Sequence, residues 1–320
     1  MNLTATNDKL PRNRLSPGVR SCRACRGLLQ GEELGDYAIC AACGSANYVS
    51  TSSAEEDNVS YFDVVYSDSL RQPIDKRYRW FVTWERIHTS VHAKEQEVFQ
   101  SVLDHMSKCI MAARSSAEVG FGSGKELVNW LRAGANIWGV DTSREAVASF
   151  QSKYPEFGGR VSCSRTIPSQ VDVLYCNALF EHLDDPEAFL NDAFSCLNPE
   201  GALLMRLPLI TARQDRSKDL WRDINFWKPC HRMLYSYRGL DILLRRQGFQ
   251  IIETASLAYY GYKVMSTMLR HGFDDVARVR NPYFSIKHLD SDRRYLMILV
   301  ESLFRKVICS DCAVIIRKLS

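Results

Sequence analysis

The segment Glu118-Val-Gly120-Phe-Gly122-Ser-Gly124, set between an apolar run and an amphipathic one, constrains the fold more than any other part of the chain. Three alternate glycines let the backbone turn sharply at the end of a strand and approach a ligand that any Cβ would displace. One strand further on, Gly139-Val-Asp141 ends in a carboxylate seventeen residues beyond Gly124. An acid so placed can accept hydrogen bonds from both hydroxyls of a ribose. Ligands of open α/β sheets sit where these two turns meet, at the carboxyl ends of the strands.

The rest of the chain agrees with such a sheet. AEVGFG, NIWGVD, VDVLYCNALF, GALLMRLP, GFQIIETASLAY and SDCAVIIRKLS read as strands or strand–turn units; KELVNWLRAG, SREAVASFQSKY and PEAFLNDAFSCL are helical. Repeated units of this length predict a doubly wound, mainly parallel α/β sheet, seven-stranded, with helices on both faces. Residues 76–110 read as helices leading into it, with Val98, Val102 and Met106 four apart on one face. The expected organisation is a loosely ordered tail over 1–18, a four-cysteine ribbon over 19–50, a linker and helices over 51–110, and the main domain over 111–320. Within the last lie an insert at 211–238 and a mainly helical one at 261–308, which would cover the cleft or make a homodimer contact.

No apolar run reaches the roughly 18 residues needed to cross a bilayer, and the first residues lack a signal-peptide core, so the chain reads as cytoplasmic. The net charge is +4, but residues 1–30 alone carry six basic side chains (Lys9, Arg12, Arg14, Arg20, Arg23, Arg26) against Asp8. A basic nucleic-acid surface could therefore be only N-terminal.

The glycine spacing is not the dinucleotide fingerprint: the third glycine comes one position early and an acid precedes the first. Glu118 would repel a pyrophosphate and suits an ammonium-bearing ligand such as S-adenosylmethionine. E-V-G-F-G-S-G, G-V-D, N-A-L-F-E-H-L-D-D-P-E-A-F-L and L-N-P-E-G-A-L-L-M-R-L-P occur in order over roughly residues 95–255. With the last strand, this resembles the class I S-adenosylmethionine-dependent methyltransferases. The resemblance implies that Glu118, Gly120, Gly122 and Gly124 form the loop at the methionine end of the cofactor. It implies that Asp141 binds the ribose, Thr142 and Ser143 begin the helix beside the adenosine, and Asn177 to His182 line the cleft between cofactor and acceptor. The region Cys163-Ser-Arg165-Thr-Ile167 lacks the acid that relatives place near the adenine.

Cys22-x-x-Cys25 and Cys40-x-x-Cys43 are fourteen residues apart, and the second pair runs into Gly44. Four thiolates at this spacing suit tetrahedral, structural Zn²⁺ with no position left for water. The layout resembles methyltransferases of sugars and surface polysaccharides; some ribosomal RNA methyltransferases also carry an N-terminal zinc element. A third pair, Cys309 and Cys312, enters the last strand, where residues three apart face opposite sides, and is read as thiols without a metal.

On the acceptor side, 211–238 carries seven Lys or Arg against three Asp, interleaved with Trp221, Phe226, Trp227, Tyr235 and Tyr237. Such a surface can hold a sugar-like acceptor bearing an acidic group. His231, after Pro229-Cys230, is the leading base, followed by His182 and Asp223. The expected reaction is methyl transfer from S-adenosylmethionine to a hydroxyl of a sugar or glycan. RNA methylation is the first alternative, disfavoured by an Asn177-Ala-Leu-Phe180 turn that lacks the two prolines of base N-methylating relatives. A sugar C-methyltransferase, a non-enzymatic zinc-ribbon binding protein and a nicotinamide oxidoreductase rank below it.

Overall fold

The computed structural model describes residues 21–29, 33–34, 37–49, 76–167, 170–211, 230–272, 292–305 and 307–319. The small N-terminal strands are β1 (Glu33–Leu34), β2 (Tyr37–Ile39) and β3 (Ala46–Tyr48), followed by helices α1 (Lys76–Val91) and α2 (Ala93–Ala112). The alternating part runs β4 (Ser116–Val119), α3 (Lys125–Arg132), β5 (Ile137–Asp141), α4 (Arg144–Lys153), β6 (Val161–Cys163), β7 (Val171–Asn177), α5 (Pro186–Cys196) and β8 (Leu197–Ile210). It continues with β9 (Met233–Ser236), α6 (Tyr237–Arg246), β10 (Phe249–Leu257), α7 (Tyr260–Arg270), α8 (Asp292–Phe304) and β11 (Cys309–Lys318).

Seven strands form the central sheet in the order β6-β5-β4-β7-β8-β11-β10. The pairs among β4, β5, β6, β7 and β8 are parallel, while β11 is antiparallel to both β8 and β10. This is the Rossmann-like class I methyltransferase fold, and the order reverses between β4 and β7. Parallel strands covered on both faces must be apolar almost throughout, which is why β7 and β8 read as near-continuous hydrophobic runs. One face packs Leu203, Met205 and Leu207 with α5 and α6; the other packs Leu204 and Ala313 against α2, α3 and α4. Asp185 and Ser143 cap their helices by accepting from the Ala188 and Ala146 amides.

Three sequence expectations change. The buried stripe of α2 is Phe99, Val102, Met106 and Ile110, and Val98 is 54% exposed. Steps of four residues drift around a helix of 3.6 residues per turn, whereas mixed three- and four-residue steps hold one face. The insert expected over 211–238 ends in regular structure: its last residues form β9 and the start of α6, while 212–229 lie outside the described residues. The four-cysteine segment is also not merely appended, because β3 pairs antiparallel with β9, and β9 pairs parallel with the end of β8. The ribbon strands thus extend the main sheet beyond the carboxyl end of β7. Cys309 and Cys312 are buried in β11, in different clusters. A helical cluster of α1, α7 and α8, centred on Phe81, Val264, Tyr295 and Ile298, holds both described helices of 261–308. Among the described residues no helix is long and apolar enough to cross a membrane.

Candidate active site

Glu118 sits in β4 between Gly139 of β5 and Tyr175 of β7. Its side chain is buried, and Oε2 has no hydrogen-bond partner among the described residues. Burial, reinforced by the charges of Glu126 and Asp141, pushes its carboxyl well above the usual carboxylate range. A cation set against it would reverse that penalty. Directly above, Gly120, Gly122 and Gly124 all have φ between +52° and +72°. A Cβ on Gly120 would come 3.0 Å from Leu179, and one on Gly124 only 2.2 Å from Phe150. The turn needs glycine both for its handedness and for its clearance.

Asp141 is fixed by two backbone amides: Gly122 donates to Oδ2 at 2.9 Å and Ser143 to Oδ1 at 2.8 Å. Each carboxylate oxygen keeps a second lone pair, enough for two ribose hydroxyls. Thr142 is exposed beside it. An unpartnered buried carboxylate oxygen, a cradle closed to any Cβ and a fixed diol acceptor together fit S-adenosylmethionine.

Beyond β7 the chain turns through Ala178, a non-glycine residue at φ +50° whose amide donates to the Arg206 carbonyl. Left-handed backbone at such a residue costs about 1–2 kcal/mol and collects at functional sites. The turn carries Leu179 to the glycine loop and buries Phe180, Glu181 and His182. Asn177 donates to Glu126 Oε2 at 3.2 Å. His182 Nδ1 lies 2.8 Å from the Cys230 carbonyl, and its ring meets that of His231 edge-on, centroids 4.9 Å apart. Both imidazoles are buried. The two histidines expected on the acceptor side are therefore neighbours, while Asp223 lies outside the described residues.

The ribbon holds this wall from behind. Cys22, Cys25, Cys40 and Cys43 place their sulfurs within 4.8 Å of one another, with the Cys22–Cys43 and Cys25–Cys40 pairs at 3.6 and 3.5 Å. Each knuckle closes with a backbone bond, Arg26 to Cys22 and Gly44 to Cys40, and Gly27 donates to the Cys25 sulfur. Hydrogen bonding from Cys43 lowers the Cys22 thiol, favouring its thiolate. Four converging sulfurs, with amides already aimed at them, fit Zn²⁺. From this cluster Tyr37 reaches the His231 carbonyl, while Arg23 and the Tyr48 amide reach the Arg232 carbonyl.

Residues 92–254, half of the chain, match a family model described as a methyltransferase domain. The chain belongs to the methyltransferase-domain family. This methyltransferase-domain protein is 30% identical over 100 residues to a ubiquinone biosynthesis O-methyltransferase of Cupriavidus pinatubonensis, covering 28% of this chain and 40% of that protein. It is 26% identical over 174 residues to a trans-aconitate 2-methyltransferase of Rhodopseudomonas palustris, covering 53% of this chain and 67% of that protein. The chain thus spans less than half the length of the ubiquinone relative. Among solved structures, an O-methyltransferase from a polyketide synthase multienzyme of Brevibacillus brevis aligns at 13% identity and TM-score 0.45, covering 77% of this chain and 80% of that one.

Sequence reading missed a charged network in this methyltransferase-domain protein; it stands beside Asn177, which donates to Glu126. Arg206, in β8, donates to Glu126 at 2.9 Å and to Asp311 at 2.7 Å, and approaches the Tyr259 hydroxyl. Tyr175 also donates to Glu126, at 2.6 Å. The available signal was an arginine inside the apolar run LLMRLP, since a charge in a covered strand needs partners.

Proposed function

We propose that the chain transfers the methyl group of S-adenosylmethionine to a hydroxyl of a sugar or glycan acceptor. The carrying observation is that Asn177 to His182 links the glycine loop, through Leu179 against Gly120, to the histidine pair. When bound, S-adenosylmethionine supplies an electrophilic methyl on a sulfonium. Glu118 accepts the ammonium, Asp141 fixes the ribose, and the glycine turn admits the backbone-close approach. Leu179 stands against the glycine loop between the two subsites, and alignment of hydroxyl, methyl and sulfur is the larger part of the rate. The His182–His231 pair, with Asp223, is assigned to the acceptor hydroxyl, where it relieves the positive charge that develops on oxygen.

The relatives' names, ubiquinone and trans-aconitate, point to varied acceptors, so the glycan class rests on the cation-and-aromatic segment 211–238 and on the ribbon layout. The RNA alternative loses one of its six N-terminal basic residues to internal work, because the part-buried Arg23 binds the Arg232 carbonyl. The test is mass spectrometry of sugar, lipid-linked glycan and RNA pools incubated with the protein and deuterated-methyl S-adenosylmethionine. Label in a glycan hydroxyl is expected; label confined to RNA overturns the reading.

A further inference from the structure

We propose that His182, Cys230 and His231 form a second transition-metal site, separate from the four-cysteine cluster and facing the acceptor side. One donor atom from each of the three lies within 4.8 Å of the others. All three side chains are buried, at 8%, 0% and 2% exposure. Buried thiol and imidazole groups gathered this closely constitute a set of soft and borderline donors.

The orientation of His182 is that of a ligand. A carbonyl oxygen only accepts, so the 2.8 Å contact with Cys230 puts a proton on Nδ1, and in the neutral imidazole Nε2 is then the nitrogen that can ligate. Metal-bound imidazoles are held in this way, through their second nitrogen, by a carbonyl or carboxylate. Glu181 Oε1 lies 3.8 Å from that Nε2, so a carboxyl oxygen stands beside the same point. The donors come from two chain segments that are already clamped together. The Arg232 amide donates to the Glu181 carbonyl at 2.7 Å, and Tyr37 holds the His231 carbonyl at 2.8 Å. Little chain movement is therefore needed to draw the three donors onto one ion.

Two nitrogens and one sulfur select Zn²⁺ or Co²⁺ over the oxygen-seeking Mg²⁺ and Ca²⁺. Three protein ligands leave one coordination position, as in zinc sites that bind a substrate oxygen. This role deepens the proposed function and rests on its assignment of the acceptor hydroxyl to the histidine pair. The imidazole lone pairs then bind the ion, and it is the ion that acidifies the hydroxyl. The hydroxyl proton passes to solvent, a carbon–oxygen bond forms, and the sulfonium loses its methyl to become a neutral thioether.

The test is metal content together with Co²⁺ titration of the full-length protein. Two Zn²⁺ per chain are expected after equilibration with the metal, with two successive Co²⁺ spectra, one of a four-thiolate site and one of a single-thiolate site. Cys230→Ser should abolish the single-thiolate charge-transfer band and leave the four-thiolate spectrum intact, and His182→Gln should lower the second occupancy in the same way. Because the titration of the unsubstituted protein is decisive alone, a variant that fails to fold does not obscure the result. One Zn²⁺ per chain and a four-thiolate spectrum only would overturn the site. Glycan methylation by such one-ion protein would leave the proposed function standing and the site rejected. Two ions without hydroxyl methylation would establish the site and reject the function.

Discussion

The Tyr37 hydroxyl donates to the His231 backbone carbonyl at 2.8 Å, so a ribbon residue holds the backbone at His231. Tyr37 is itself buried and packed edge-on against Tyr48. Tyr37→Phe keeps the ring and removes the hydroxyl that makes this bond. We expect a loss of about 1 kcal/mol in stability, the usual net worth of such a bond. Turnover should fall by about tenfold, because a small displacement of a positioned group costs rate steeply. Affinity for S-adenosylhomocysteine should be unchanged. Thermal denaturation, acceptor kinetics and calorimetric titration separate the three effects; an equal loss of nucleoside affinity would contradict the positioning role.

Stripping the four-cysteine cluster should act through the same connection. Ser236 caps α6 and donates to the Cys43 carbonyl, while its amide binds Ser45, so the ribbon, β9 and α6 share one set of bonds. Structural zinc contributes folding free energy directly. Cys40→Ser is expected to lower the melting temperature and to reduce acceptor turnover more than tenfold, a loss of about 1.4 kcal/mol or more in transition-state stabilisation. The glycine turn follows β4 itself and Asp141 ends β5, across β4 from β7 and β8, so nucleoside affinity should persist. Calorimetry of the folded fraction measures it, and parallel loss of both functions would show that the ribbon supports the whole sheet.

Local signals made the donor half of the site legible. The glycine turn, Asp141 and the two cysteine pairs each encode their geometry within a few residues, and the strand–helix alternation followed from apolar runs of characteristic length. The acceptor half is assembled by pairings that no local pattern contains. His182 meets His231 because the turn after β7 is bonded, through the Arg232 amide and the Glu181 carbonyl, to the segment leading into β9. Arg206 meets Asp311 because β8 and β11 run antiparallel in a register that sets Arg206 opposite Ala313 and Asp311 opposite Pro208. The docking of the ribbon depends equally on the β3–β9 pairing, in which Ala46 meets Leu234.

Arg206 should prove the most sensitive residue of the network beside Asn177. It is 17% exposed and holds two carboxylates, Glu126 and Asp311, that would otherwise face each other. Removing one partner of a buried ion pair costs about 3–5 kcal/mol, so Arg206→Gln should be destabilised on that scale. Burial already raises the Asp311 carboxyl, with Arg206 opposing the shift. Without Arg206 it should rise further, so the folded variant binds more protons than the unfolded chain. The stability of the variant should then fall as pH increases from 5 to 8, which urea denaturation at the two pH values measures. A loss that does not depend on pH would mean that Asp311 is not released by the substitution.

Glu118 sets stability against binding. Its carboxyl is raised well above the ordinary range, first by burial and then by Glu126 and Asp141. A raised folded value means that the stability from this group is complete below the unfolded carboxylate pKa and is lost as pH rises through the folded pKa. The ligand-free protein therefore bears the cost of ionising Glu118 at higher pH, and Glu118→Gln should remove it, raising the melting temperature of the ligand-free form. The ammonium of S-adenosylmethionine needs the ionised carboxylate, so its affinity should climb with pH through the same range. A charge-assisted hydrogen bond is worth about 1.5–3 kcal/mol, so Glu118→Gln should weaken binding by about 10- to 150-fold and flatten that pH dependence. Calorimetric titration across the range, paired with thermal denaturation of the ligand-free variant, tests both halves. Weaker binding combined with a lower melting temperature would show that Glu118 supports the sheet rather than the ligand.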